Sequence, residues 1–218
     1  MTLSASGWSP RAVPRRLGTR LAVVAVVLAL GGGLSGCGVN NIPTYEQAAK
    51  AKWADVQSAY QRRADLIPNL VETVKTFAAQ ENKVLVEVVE ARAKATAPSI
   101  KLPEGATPSL DQMKAIQGAQ NELSGALSRL LVSVERYPEL KSNQNFLQLQ
   151  SQLEGTENRI NVVRADFNDA VRRYNTELVT IPGRWWRSAM YGDRKEMAFF
   201  EAAAGSQAAP KVDFGTKK

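Results

Sequence analysis

Residues 146–181, which read FLQLQSQLEGTENRINVVRADFNDAVRRYNTELVTI, decide the fold. Apolar side chains recur through this stretch in steps of three and four residues, which is the period of one face of an α-helix. The run begins just after Ser142 and Asn143, either of which can cap a helix, and it ends at Pro182-Gly183. The positions on this face are Phe146, Leu149, Leu153, Thr156, Ile160, Val163, Phe167, Ala170, Tyr174, Leu178 and Ile181. One long amphipathic helix is therefore predicted, with a core-facing seam.

Three similar stripes precede this helix. They span residues 45–60, 67–95 and 113–137, and no strand-like alternation interrupts them. Ser109 is a plausible N-cap for the last of the three. Arg164 lies one position beyond Val163 of the long seam and is predicted to face water.

Short connections join the predicted helices. Residues 61–64 are predicted to bend the chain, Asp65 to cap the next helix, and Pro68 to lie in its first turn, where a missing N–H costs nothing. Residues 98–109 form the only long connection, with three prolines and one glycine. Because short connections make successive helices antiparallel, the fold class predicted for residues 38–183 is an all-α, long antiparallel four-helix bundle.

Two polar residues interrupt otherwise apolar stripes. Glu81 and Gln120 could form a buried polar pair or a binding carboxylate. Alternatively, each helix rotates slightly and an apolar neighbour such as Val84 or Leu85 takes over the core position. We favour the second interpretation, because an unsatisfied polar group in a core is costly.

The amino-terminal segment, residues 1–37, has the pattern of an export signal or membrane anchor. Four arginines precede an apolar run at residues 21–30 that is shorter than a membrane span. Leu34-Ser35-Gly36-Cys37 resembles the bacterial lipobox, so Cys37 is predicted to carry lipid. Alternatively, Cys37 simply ends an uncleaved span in the inner membrane. Gly38 follows Cys37, which by resemblance to sorting rules favours the outer membrane in a Gram-negative cell.

Composition excludes several classes of function. The chain has no histidine and one cysteine, which argues against His-dependent hydrolases, metal sites and internal disulfides, so we predict no catalysis and no cofactor. The net charge is +7, with 28 basic and 21 acidic residues. Removal of residues 1–36 takes away four basic residues and no acidic ones, which leaves +3. That charge is weak for a nucleic-acid-binding protein, and no nucleic-acid partner is predicted.

The segment QRRADLIPNLVE, residues 61–72, resembles the hallmark of the LemA family. The resemblance extends over about residues 45–214. It is carried also by EARA at 90–93, ERYPELK at 135–141, FLQLQ at 146–150, ENRI at 157–160, Arg164, Tyr174-Asn175 and PKVDF at 210–214.

This resemblance implies an antiparallel helical bundle held at a membrane by its amino terminus, with no established activity, cofactor or catalytic residue. Members of the family often accompany membrane peptidases or TPM-type membrane proteins, and some serve membrane organelles. The expected function is therefore that of a scaffold or adaptor in the cell envelope, with a membrane peptidase among the expected partners. Whether the chain forms a homo-oligomer is left open.

The charged hallmark segment contains candidate partner-binding residues. Cap and turn chemistry would explain Asp65 and Pro68, but it leaves Arg62, Arg63 and Asn69 unexplained. Arginine pairs bind phosphate or carboxylate groups well, so these three residues are predicted to contact a partner.

Residues 184–218 are predicted to form a short helix and a tail. Trp185 and Trp186 are flanked by Arg184 and Arg187, a combination that also occurs at membrane interfaces. Neighbouring side chains point in different directions on a helix, so one tryptophan is predicted to pack on the bundle end while the other stays exposed. Two interpretations of the pair are left open: it closes the end of the bundle, or it contacts the membrane or a membrane partner. The alternative function is therefore a lipid- or cell-wall-binding module that uses this tail.

Overall fold

The computed structural model describes residues 38–97 and 106–201, and every regular element in these two stretches is helical. No strand occurs among them. The all-α prediction is confirmed for this part of the chain. The predicted signal or anchor segment with Cys37 lies outside the described residues, as do residues 98–105 and 202–218.

Two long helices dominate the described part of the chain. The elements are α1 (Asn41–Phe77), a 3-10 turn (Ala79–Glu81), α2 (Asn82–Ala95), α3 (Leu110–Val134), α4 (Pro138–Lys141), α5 (Gln144–Val179) and α6 (Gly183–Met190). Helices α1 and α5 contain 37 and 36 residues, so each is about 55 Å long. They form the most extensive helix contact among the described elements, while α2 packs on α3 and on α1.

The bend predicted at residues 61–64 is wrong. Helix α1 continues through this stretch, so Asp65 is an exposed side chain within the helix and not its N-cap. Pro68 also lies inside α1 and not in a first turn. The chain turns instead at the 3-10 helix Ala79–Glu81. Burial continues across the predicted bend at Val56, Ala59, Arg63, Ala64 and Ile67.

The core-facing seam of α5 is confirmed for most of its length. Its buried residues are Phe146, Leu153, Thr156, Ile160, Val163, Phe167, Val171, Tyr174 and Leu178. Three positions differ from the prediction: Leu149 is half-buried, Val171 is buried in place of Ala170, and Ile181 is exposed beyond the end of the helix.

The water-facing position predicted for Arg164 is wrong. The side chain is half-buried, and its guanidinium carbon lies 4.7 Å from the centre of the Phe200 ring. The reason is tertiary: the carboxyl-terminal segment returns over this side of α5 and covers it.

Two of the three predicted N-caps are present, those of Asn143 and Ser109. The Oδ1 atom of Asn143 accepts hydrogen bonds from the backbone N–H groups of Asn145 and Phe146, at 3.0 and 3.1 Å. Ser109 forms a capping box with Gln112, in which each side chain accepts a hydrogen bond from the other residue's backbone N–H. These local contacts fix where α5 and α3 begin.

The two polar interruptions have different outcomes. Glu81 leaves the helical stripe, lies in the 3-10 turn and accepts a hydrogen bond from the Tyr137 hydroxyl at 2.8 Å, while Leu85 takes the core position. Gln120, by contrast, is buried in α3 and accepts a hydrogen bond from Arg63. The interpretation that an apolar neighbour replaces Gln120 is therefore wrong, because α1 supplies a polar partner for it.

Candidate functional site

The start of α1 and the end of α5 lie together at one end of the helical body. The Asn41 amide donates a hydrogen bond to a carboxylate oxygen of Glu177 at 3.2 Å. The next residue, Ile42, is buried with Tyr174 and Leu178. The point where the chain enters the helical body is thus fixed against the end of its last long helix.

Gly183 sets the position of α6 across this end. A Cβ atom on this residue would collide with the backbone carbonyl oxygen of Glu177. Because glycine has none, the chain passes close to α5 as it leaves Pro182 and starts the new helix. Helix α6 is thereby held against the end of α5, on which it packs.

The two tryptophans of α6 have different environments, as predicted. Trp186 is half-buried and packs on the cluster formed by Ile42, Tyr174 and Leu178. Trp185 is 64% exposed. One side chain therefore closes the end of the helical core, and the other is available for contact with another surface.

The segment after α6 is bound to α5 by amide side chains, and its residues 197–200 are called the strap. The Asn175 amide donates to the carbonyl oxygen of Met197 and accepts from its N–H, both at 2.9 Å. Asn168 makes the same pair of bonds with Phe200, at 3.0 and 2.9 Å. Because the two asparagines are seven residues apart, they share one face of α5 and bind successive points of an extended chain.

Phe200 anchors the end of this strap. Its ring is 6.1 Å from that of Trp53 and 5.6 Å from that of Phe167, measured between centres. The guanidinium group of Arg164 lies over the Phe200 ring. This strap is not among the features predicted from the sequence. The only local signal was the spacing of seven between Asn168 and Asn175, which does not identify what they bind.

Arg63 connects three helices from inside the protein. The residue is 2% exposed, and its side chain donates to Gln120 and Ser124 of α3 and to Glu157 of α5. The ion pair with Glu157 measures 2.5 Å. A charge that is buried to this degree needs such partners, and their removal leaves it unsatisfied.

Two guanidinium groups lie near the ring of Tyr60. The guanidinium carbons of Arg63 and Arg164 are 5.9 and 6.0 Å from the centre of its ring. Burial raises the pKa of Tyr60, and the positive charge of Arg164 opposes that shift. Its hydroxyl has no hydrogen-bond partner among the described residues.

The other two predicted partner-binding residues of segment 61–72, Arg62 and Asn69, lie on the surface of α1. Arg62 is exposed at a cleft of about 510 Å³ that also contains Arg159 of α5. Asn69 is exposed at a second cleft, of about 580 Å³, with Asn145 of α5. Arg62 and Asn69 therefore share the side of α1 that faces α5, whereas Arg63 points into the core.

A comparison with protein-family models matches residues 52–214 to the LemA family. The match covers most of the chain. The protein belongs to the LemA family. The resemblance seen in the sequence is thus confirmed.

Relatives of this LemA protein include three magnetosome proteins. Magnetosome proteins MamQ 1 and MamQ 2 of Paramagnetospirillum magneticum are each 27% identical to it over 182 residues. Magnetosome protein MamQ of Magnetospirillum gryphiswaldense is 27% identical over 183 residues. Each alignment covers 76% of this chain, which spans 66% of the length of each relative.

Two classes of feature do not occur in the described part of this LemA protein. Within residues 38–97 and 106–201, no three carboxylate, thiol or imidazole side chains are grouped so that they could hold a metal ion. None of the helices in these stretches has both the length and the hydropathy needed to cross a membrane. The lipidation predicted at Cys37 falls outside them.

Proposed function

We propose that this LemA protein is a non-catalytic scaffold or adaptor of the cell envelope, held at a membrane by its amino-terminal segment. Residues 1–37 serve as signal and anchor, residues 38–183 form an antiparallel four-helix bundle built from α1, α2, α3 and α5, and residues 184–218 form the short helix and tail. The relatives' name as magnetosome proteins supports an association with a membrane-bound structure.

The observation that carries this proposal is the pairing of the start of α1 with α6. Cys37 precedes Asn41 by four residues, and four extended residues reach at most about 14 Å. A lipid attached to Cys37 therefore holds the α6 end of the protein close to the bilayer, with the exposed Trp185 beside it. An uncleaved span in the inner membrane gives the same orientation. If the chain is a lipoprotein of a Gram-negative cell, the outer membrane is the proposed location.

Partner binding is assigned to the side of α1 that carries Arg62 and Asn69. Asn69 is 28 residues from Asn41 along one continuous helix, which places it about 42 Å from the anchored end. A partner can bind there without competing with the bilayer. The partners proposed are envelope membrane proteins, with a membrane peptidase among them, or a second copy of the chain. Arg63 is buried, so we assign it to the contacts between the helices and not to partner binding.

Crosslinking in cells, followed by purification of the tagged full chain, tests the scaffold. We expect a recurrent membrane-protein partner with the wild type and its loss with the double variant Arg62→Ala, Asn69→Ala. The control is Lys114→Ala, Asn121→Ala, which also removes one positive charge and one amide, at the same spacing of seven, from exposed positions on α3. Equal recovery with all three chains would reject the assigned surface.

A second candidate function is a lipid- or cell-wall-binding module that uses the basic, tryptophan-bearing tail. It is favoured by the exposure of Trp185 next to Arg184. The same purification separates the two functions. Recovery of lipid or peptidoglycan without any recurrent protein would support the module and reject the scaffold.

A further inference from the structure

A cleft of about 560 Å³ lies where α6 meets the end of α5. Its walls are formed by Leu178, Val179, Arg184, Arg187, Ser188 and Gly192. Arg184, Arg187 and Ser188 occupy positions i, i+3 and i+4 of α6, so they share one face of that helix. Two guanidinium groups and one hydroxyl therefore point to the same side.

The two arginines of the cleft are not neutralised by a carboxylate in its walls. No acidic residue is among its walls, and neither arginine forms an ion pair with a carboxylate of the described residues. Asp193, the next acidic residue along the chain, is exposed and lies 3.9 Å from Arg194. The guanidinium group is a planar fork of donors that matches the oxygens of a phosphate group. The cleft is thus complementary to a phosphate.

Exposed apolar side chains stand beside the same face of α6. At about 100° of rotation per residue, Trp185 lies on one side of the face that carries both arginines and Met190 on the other. Their side chains are 64% and 61% exposed, and Ile181 before the helix is 65% exposed. A free phosphate ion would leave these groups without a partner. A phospholipid supplies a phosphate for the arginines and an apolar environment for these side chains. Tryptophan favours the headgroup level, and apolar side chains can reach the acyl boundary.

We infer that this cleft binds the phosphate of an anionic phospholipid headgroup in the bilayer to which the chain is anchored. Arg184 and Arg187 contact the phosphate oxygens, while Trp185 and Ile181 enter the interface beside it. This site deepens the proposed function and rests on its membrane-facing orientation of α6. The chain would then touch the membrane twice, at its anchor and at α6, and the second contact would fix how the helical body stands on the surface.

Lipid-specific quenching of tryptophan fluorescence tests the site. The full chain is reconstituted in nanodiscs of phosphatidylcholine with a minor fraction of phosphatidylglycerol, and either lipid carries bromine on its acyl chains. The signal lost in a Trp185→Phe variant isolates the contribution of Trp185. We expect phosphatidylglycerol to be enriched about fivefold around Trp185 relative to its share of the bilayer.

The double variant Arg184→Gln, Arg187→Gln should abolish this enrichment. Its control is Arg172→Gln, Arg173→Gln, which removes the same charge from exposed positions on α5 and should keep the enrichment. Circular dichroism is used to check that each variant is folded. Equal enrichment in both double variants would overturn the site. So would quenching of Trp185 by both lipids in proportion to their abundance, although the orientation of α6 would stand.

Two further outcomes are decisive. If neither brominated lipid quenches Trp185, α6 does not face the bilayer, and the membrane orientation in the proposed function fails together with the site. If inorganic phosphate, added to nanodiscs of phosphatidylcholine alone, raises the melting temperature as much as phosphatidylglycerol does, the cleft is a site for free phosphate and the lipid assignment is overturned.

Discussion

Arg92 of α2 donates a hydrogen bond from its Nε atom to the backbone carbonyl oxygen of Ala64 in α1, at 2.7 Å. In an uninterrupted helix this oxygen would accept from the N–H of the residue four positions further on. That residue is Pro68, which has no N–H to donate. A side chain from a second helix thus replaces the missing donor, which explains how α1 continues through a proline. It also connects two of the segments that carry the family resemblance, 61–72 and 90–93.

This contact predicts a coupling between Arg92 and Pro68. Arg92→Ala should lower the free energy of unfolding by about 1–3 kcal/mol, because it leaves a carbonyl oxygen without a partner in the helix interface. In a Pro68→Ala background the new N–H can bond to Ala64, so the same substitution should cost less than half as much. Urea unfolding of the four chains, followed by circular dichroism, measures both costs.

Arg62→Ala is the matched control for Arg92→Ala, because Arg62 is exposed and its removal leaves no backbone group without a partner. We expect Arg62→Ala to change the free energy of unfolding by less than about 0.5 kcal/mol. If Arg92→Ala costs the same with and without Pro68, the hydrogen bond to Ala64 does not compensate for the proline.

A second prediction concerns the strap. Asn175→Asp keeps the acceptor for the N–H of Met197, but it replaces the donor to the Met197 carbonyl with a negatively charged oxygen. We expect faster hydrogen exchange at Met197 and Phe200 and a loss of about 1–3 kcal/mol. Asn161→Asp makes the same chemical change at an exposed position fourteen residues earlier on α5. Equal exchange at Met197 in both variants would show that the strap does not depend on the amide.

A third prediction concerns Tyr60 and high pH. Burial raises its pKa above the ordinary value of 10.0. The unfolded chain therefore releases this proton first, and stability falls as the pH rises from about 10 through the pKa of the folded state. Tyr60→Phe should make that fall shallower. At neutral pH it should cost little, because the hydroxyl has no partner among the described residues. Thermal melts at several pH values test this, and an unchanged slope would contradict it.

The fourth prediction concerns the anchor. Cys37→Ala should abolish labelling with radioactive palmitate and block maturation of the precursor, since the thiol is the group that takes the lipid. Labelling of growing cells, followed by gel electrophoresis, measures both effects. Equal labelling and identical mobility of the variant and the wild type would reject the lipoprotein and leave an uncleaved span as the anchor.

Features whose physics is local could be predicted from the sequence alone. Asn143 and Ser109 cap their helices with backbone groups two or three residues away, so residue type and spacing were enough to identify them. The seam of α5 followed from its period, because a helix face that is apolar over 36 residues has to be buried. The different environments of Trp185 and Trp186 followed from the rotation between neighbours on a helix.

The end of α1 and the roles of its charged residues depend on tertiary contacts. The local sequence around Pro68 and the arginine pair predicts a turn, but the helix continues. It continues because Arg92 donates a hydrogen bond to the carbonyl oxygen of Ala64. Arg63 can be buried there because Gln120 and Glu157 accept its hydrogen bonds. These partners are 28 to 94 residues away along the chain. The cost of a proline or a buried charge is set locally, whereas the hydrogen bonds that offset it come from other helices, and the spacing of residues in a sequence does not specify which helix will supply them.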